Sequence, residues 1–142
     1  LNREAPSHDR GILDTSTLVL LGRLRDARAL PAEPMITAVT LAELTVGPLV
    51  ARESDERARR QAHLQQAEAD FVAIPFDSDA ARAFGSVAAS LRGAGRKTPA
   101  RAYDAMIAAI AIANELPVYT CNPDGFKGIE RLEVVAVPVP ER

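Results

Sequence analysis

The sequence predicts an α/β fold: a five-stranded parallel sheet between helices, in a single domain. Three observations predict it. Short apolar runs rich in β-branched residues alternate with longer helical segments along most of the chain, the order that gives parallel strands joined by right-handed crossovers. The length of 142 residues suits one core and is too short for two. Apolar residues make up 47% and charged residues 25%, which places the chain among folded globular proteins rather than disordered ones.

"GIL" (Gly11–Leu13) reads as the first strand, and Asp14-Thr15-Ser16 as the cap of the helix that "LVLLGRL" continues. "PMITAV" (Pro34–Val39) is the second strand, and "TLAELTVGPLVA" a helix expected to bend or end near Gly47-Pro48. "SDERARRQAHLQQAEAD" (Ser54–Asp70) is a polar helix with Ser54 as its cap, followed by a third strand in "FVAIP" (Phe71–Pro75). "SDAARAFGSVAASLRGAG" opens on a second Ser-Asp cap and stops near Gly93. The loop "RKTPAR" (Arg96–Arg101) leads to an Ala-rich helix from about Asp104. "PVYT" (Pro117–Thr120) and "LEVVAVPV" (Leu132–Val139) are the fourth and fifth strands, the last closed by prolines.

Residues 1–10 read as a polar, flexible leader with no apolar signal segment, and 11–142 as the domain. The longest apolar run, "AMIAAIAIA" from Ala105, is well short of the roughly 20 residues that span a bilayer and is expected to be a buried helix. Cys121 is the sole cysteine, so an intrachain disulfide and a four-cysteine zinc site are excluded, and a reducing, cytoplasmic setting is expected. With no histidine suitably placed beside it, Cys121 reads as a packed thiol rather than a nucleophile. His8 and His63 are given no role. A net charge of −2 gives no global attraction to nucleic acid. The "RARR" run (Arg57–Arg60) reads as a solvated helix face, while Arg96 and Lys97, in a Gly-rich loop that runs on to Arg101, read equally as phosphate-contacting or as solubilising charges.

Ligands of open parallel sheets bind at the carboxyl ends of the strands, where strand order reverses. Asp14 ends the first strand, Glu43 lies one turn into the helix after the second, Asp104 heads the helix that feeds the fourth, and Asp124 lies just past the fourth. Four carboxylates gathered there repel one another unless cations hold them. An oxygen-only set suits Mg²⁺ or Mn²⁺ rather than zinc, and such ions promote phosphodiester hydrolysis. Each acid also has a local reading: Asp14 as a helix cap, Glu43 as the partner of Thr40 in a capping box, Asp104 as a favourable charge at a helix start, and Asp124 as a turn residue. Thr15, Ser16, Thr120 and Asn122 are expected to hold the carboxylates by hydrogen bonds.

"LDTS" at Leu13, "VTLAEL" at Val39, "YDAMIAAIA" at Tyr103 and "VYTCNPDGF" at Val118 occur in that order and resemble the PIN-domain ribonucleases, specifically the VapC-type toxins of toxin–antitoxin pairs. The resemblance implies a three-layer PIN-like fold and an Mg²⁺- or Mn²⁺-dependent endoribonuclease that cuts tRNA or ribosomal RNA and halts translation. It also implies a cognate VapB-type antitoxin that blocks the site, and a homodimer. The family's acids carry over to Asp14, Glu43 and Asp104. Many relatives read Thr-x-Asn-x-x-Asp-Phe, whereas Gly125 precedes Phe126 here and the acid comes one residue early, at Asp124. Asp124 is expected to reach a metal directly or through water; the alternative is that Asn122 supplies the last oxygen. A PIN-fold module that binds RNA or antitoxin through a weakened site is the second reading. An aspartyl-phosphate receiver or hydrolase is disfavoured, because Ser16 stands where a dehalogenase-type motif needs a second aspartate.

Overall fold

The computed structural model describes residues 9–24, 26–98 and 101–139. His8 and most of the expected leader lie outside them. Arg10, placed in that leader from sequence, belongs instead to the first strand, because it pairs in register with Glu33.

Strand β1 (Arg10–Leu13) leads into helix α1 (Thr15–Leu20), which tightens into a 3-10 turn at Leu21–Arg23. A second 3-10 turn (Ala27–Ala29) precedes β2 (Glu33–Thr37), α2 (Ala38–Val50) and α3 (Ser54–Asp70). Then come β3 (Ala73–Ile74), α4 (Ser78–Gly93), α5 (Ala102–Ala113), β4 (Val118–Thr120), a 3-10 turn at Pro123–Phe126 and β5 (Val134–Ala136). All strand pairs are parallel, in the order β3-β2-β1-β4-β5. The order reverses between β1 and β4, so their carboxyl ends flank the crevice where a ligand site is expected.

Alternation along each strand sends neighbours to opposite faces. Ile12, Met35 and Val118 pack with Val87 and Leu91 of α4 and with α5. Leu13 and Tyr119 join Val137 on a second cluster, and Ile36 joins Leu18 of α1 and Ala67 of α3 on a third. Helix α5 is apolar on nearly every side and its Ile107–Ala111 stretch is fully buried, as the run from Ala105 predicted. No helix among the described residues is long and apolar enough to cross a membrane.

Helix α2 differs from expectation at both ends. It starts earlier, because Thr37 rather than Thr40 is the cap and accepts from the Thr40 amide at 3.2 Å, so the Thr40–Glu43 capping box does not form. It also runs through Pro48 to Val50. Proline deprives the preceding turn of a donor, but arginines of α3 serve the carbonyls that end the helix. Arg60 donates to the Gly47 carbonyl at 2.9 Å, and Arg57 to those of Pro48 and Ala51 at 3.3 and 3.1 Å. The "RARR" run is therefore more than a solvated face, although Arg60 does also pair with Glu56. The caps of α3 and α4 fall one residue before the expected serines: Glu53 makes no side-chain cap bond, and Asp77 accepts from the Ala80 amide.

Candidate active site

Asp14 sits where β1 becomes α1 and is only 4% exposed. A buried carboxylate is costly unless its oxygens are hydrogen-bonded, and here the neighbouring hydroxyls do this. Oδ1 accepts from the Thr17 amide at 3.2 Å and from the Thr17 hydroxyl; Oδ2 accepts from Thr120 Oγ1 at 2.8 Å and from Ser16 Oγ at 3.2 Å. The cap role and the site role of Asp14 are thus served by one geometry.

Both threonine hydroxyls are themselves aimed. Thr17 Oγ1 accepts from the Cys121 amide at 2.9 Å, and Thr120 Oγ1 from the Asn122 amide at 2.9 Å. Two consecutive amides just past β4 therefore turn the protons of Thr17 and Thr120 toward the two oxygens of Asp14. Thr120 was expected in this role, and Asn122 takes part through its backbone. Thr17 was not anticipated. Its sequence signal is its place three residues after a capping aspartate, where side chain and amide can reach the same carboxylate oxygen.

Glu43, on α2, accepts from Thr15 Oγ1 at 2.6 Å. Thr15 Oγ1 also lies 2.9 Å from Thr40 Oγ1, and since the Thr15 proton is directed at Glu43, Thr40 is the donor of that contact. Burial pushes the Glu43 carboxyl above the usual carboxylate range, the Thr15 bond opposes the shift, and the Asp14 charge adds to it. Asp104, in the first turn of α5, is pushed up to about 6, first by burial and then by the charges of Asp14 and Glu43, with Arg101 pulling the other way. Three acids separated widely in sequence therefore sense one another. Among the described residues, no three acidic, histidine or cysteine side chains are gathered closely enough to enclose a metal ion as they stand.

Asp124 is not part of that group, which corrects the expectation that it closes the pocket. The 3-10 turn at Pro123–Phe126, tied by the Gly125 amide to the Asn122 carbonyl at 3.1 Å, leaves Asp124 71% exposed. Its Oδ2 lies 3.7 Å from Arg96 Nη2 and 3.9 Å from Arg101 Nη2. Gly125 faces inward instead: a Cβ there would stand 2.8 Å from Asp104 Oδ2 and 3.6 Å from Asn122 Nδ2. The missing side chain makes the room that the Asp104 carboxylate occupies, and Asn122, not Asp124, is the polar side chain of the turn on that side. Arg96 also donates to the Lys127 carbonyl at 2.8 Å, while Lys97 is exposed. Cys121 is partly buried against the Leu13–Tyr119–Val137 cluster, as expected of a packed thiol.

A hollow of about 740 Å³ opens beside Glu43 between α1, α2 and α3. Val19, Leu44 and Gly47 give it an apolar lining, and Arg23, Arg59 and His63 are cationic or titratable groups around it. His63, given no role from sequence, is one of its walls.

Residues 12–132 match the family model of the PIN domain. The chain is 39% identical over 131 residues to Ribonuclease VapC5 of Mycobacterium tuberculosis, covering 89% of this chain and 95% of that one. It is 27% identical to Ribonuclease VapC of Rickettsia bellii, covering 90% and 96%. Among solved structures it resembles VapBC-5 of Mycobacterium tuberculosis, a member of the VapBC family of toxin-antitoxin systems, with a TM-score of 0.79, 37% identity and coverage of 91% and 99%. Its fold also matches that of VapBC2 from Rickettsia felis bound to a promoter DNA fragment, with a TM-score of 0.72, 22% identity and coverage of 88% and 96%.

Proposed function

This chain belongs to the PIN-domain family, and from that premise we propose that it is an endoribonuclease toxin of the VapC type, hydrolysing phosphodiester bonds of structured RNA, tRNA or ribosomal RNA, and so inhibiting translation. The observation that carries the reading is the convergence of Asp14, Glu43 and Asp104 from β1, α2 and α5, close enough that the charges of the first two help push Asp104 up to about 6. The ribonuclease names of the relatives support it.

The donor set fits Mg²⁺ or Mn²⁺: carboxylate oxygens whose mutual repulsion a hard divalent cation would relieve. Asp14, Glu43 and Asp104 would hold the ion, which when bound supplies Lewis acidity toward water and toward the charge building up at phosphorus. The chain's own contribution is orientation. Thr17, Thr120 and Ser16 fix Asp14, and Thr15 fixes Glu43, so that these acceptors need not reorganise when charge arrives. Arg101, beside Asp104, with Arg96 and Lys97, faces the polyanionic backbone.

We assign a VapB-type antitoxin as the partner, in keeping with the VapBC toxin-antitoxin family of the structural relative, and, on the resemblance alone, a homodimer as the assembly. The apolar hollow beside Glu43 is the entry we assign to the antitoxin segment. The outward turn of Asp124 favours a second reading, a module that binds RNA or antitoxin through a weakened site. The test is to expose total cellular RNA to the purified protein with and without Mg²⁺ and to sequence the ends produced. Cation-dependent cuts that Asp104→Asn abolishes support the nuclease. Intact RNA, with no Mn²⁺ binding below millimolar concentration and antitoxin binding retained, supports the module.

A further inference from the structure

We propose that Arg96 and Arg101 form a phosphodiester subsite at the mouth of the acidic site, and that Asp124 occupies it as a resident anion which an RNA phosphate displaces. The inference rests on the ribonuclease reading for its substrate, but the geometry behind it is independent of any metal.

Two guanidinium groups converge on one oxygen: Nη2 of each faces Asp124 Oδ2, at 3.7 and 3.9 Å. Both distances exceed hydrogen-bond length, so the carboxylate is held by charge and not by directed bonds. Its partners are the fixed members of the set. Arg96 is only 16% exposed, its Nη1 is bonded to the Lys127 carbonyl, and its stem lies beside Gly128, where a Cβ would come 3.6 Å from Cδ. Arg101 is 31% exposed and is the residue that caps α5, two positions before Tyr103 and three before Asp104. Asp124 is 71% exposed and sits on a four-residue turn.

A largely buried arginine pair facing an exposed, loosely held carboxylate is an anion site whose occupant is the mobile part. With its carboxylate exposed and no directed hydrogen bond, such an ion pair contributes little to stability, so exchanging it is cheap. A phosphodiester presents two oxygens, matches guanidinium donors better than one distant carboxylate oxygen, and arrives on a polyanion that brings its own counterion release. Arg101 is also the cation that opposes the rise of the Asp104 pKa, which places the subsite next to the acids rather than on a remote surface. At position 124, and not 125, an acid in this turn has the two arginines as partners.

The test measures binding of a short fluorescein-labelled single-stranded RNA by anisotropy in EDTA, with the full chain. Asp124→Asn is expected to bind about 3- to 10-fold tighter, because the arginines lose their internal competitor. Asp79→Asn is the control for bulk charge, since Asp79 is 70% exposed and paired with Arg82 on α4; it is expected to shift binding less than about twofold. Adding Arg101→Ala to Asp124→Asn should remove most of the gain. Unchanged or weaker binding by Asp124→Asn overturns the subsite, as does an equal gain from Asp79→Asn. In the presence of Mg²⁺, Asp124→Asn should cleave at lower RNA concentration, and complete loss of cleavage would instead identify Asp124 as an ion ligand and overturn the proposal. The nuclease reading fails separately: RNA that stays intact while the Asp124→Asn gain persists removes the activity and keeps the subsite.

Discussion

The Asp14–Glu43 side of the site and the Asp104–Asp124 side are built from the same kinds of residue but held by different forces. On the first, Asp14 Oδ1, Asp14 Oδ2 and Glu43 Oε1 each accept a short bond from a hydroxyl, of Thr17, Thr120 and Thr15 in turn, and those hydroxyls are aimed by backbone amides or by another hydroxyl. On the second, Asp104 is confined by burial and by its acidic neighbours, and Asp124 by two long-range ion pairs. Hydrogen bonds at this spacing lock a direction, whereas charge at 3.7–3.9 Å does not. The rigid half can present a preorganised acceptor; the looser half can exchange partners as a substrate or an ion arrives.

Neutralising an acid on either side should cost the most. Asp14→Asn or Asp104→Asn is expected to lower RNA cleavage by about a thousandfold, the scale of several kcal/mol of lost charge stabilisation, with the circular dichroism spectrum unchanged. Cleavage within tenfold of wild type by either variant would sink the ribonuclease assignment.

Next comes the rigid half alone. Thr17→Val removes a donor from Asp14 Oδ1 and the acceptor of the Cys121 amide. It should reduce activity or Mn²⁺ affinity by about 10–100-fold and destabilise the fold by about 1–3 kcal/mol, read by titration and by urea unfolding. An effect on stability without one on ion affinity would show that the hydroxyl packs the site but does not aim it.

On the looser half, Gly125→Ala should act through Asp104 alone. Its new Cβ would meet Asp104 Oδ2 at 2.8 Å, a contact that the carboxylate can relieve by swinging away. An activity loss of about tenfold is expected, with little change in the thermal midpoint, since misplacement by under an ångström is costly to catalysis but not to packing. A large stability loss would mean that the turn, and not the carboxylate, gives way.

The smallest effect is on stability and has a definite sign. Burial first, and then the charges of Asp14 and Glu43, push the Asp104 carboxyl up to about 6 in the folded chain from its ordinary 3.8, so the folded state holds more protons between those values. Its contribution is fully present below about pH 4 and is lost as pH rises through about 6. At pH 7, in EDTA, Asp104→Asn should therefore be more stable than wild type by about 1–2 kcal/mol, less than the full shift implies because the group is partly exposed. The advantage should vanish at pH 4 and shrink on adding Mg²⁺. Glu43, also raised, should act in the same direction.

Much of the fold was legible in the chain because it is written in local periodicity. The α3 range, the burial of α5 and the five strands follow from apolar spacing, and the placement of Asp14, Glu43 and Asp104 at strand ends or helix starts follows from the same pattern. Helix ends were less legible. Nothing near Pro48 announces that arginines 9 and 12 residues later will serve the carbonyls at the end of the helix. Thr17 was missed for a similar reason: its hydroxyl matters only because β4 lies beside β1 and brings the Cys121 amide to it.

The sequence alone determined an α/β chain with acids after its strands, because strand and helix periods and capping residues are properties of neighbours along the chain. Only the tertiary structure decided which acids meet. The order β3-β2-β1-β4-β5 puts Asp14 beside Thr120, and a single 3-10 turn faces Gly125 toward Asp104 while Asp124 points to Arg96 and Arg101. A side chain's direction in a tight turn changes with each residue, so a shift of one position exchanges a place among carboxylates for a place between arginines.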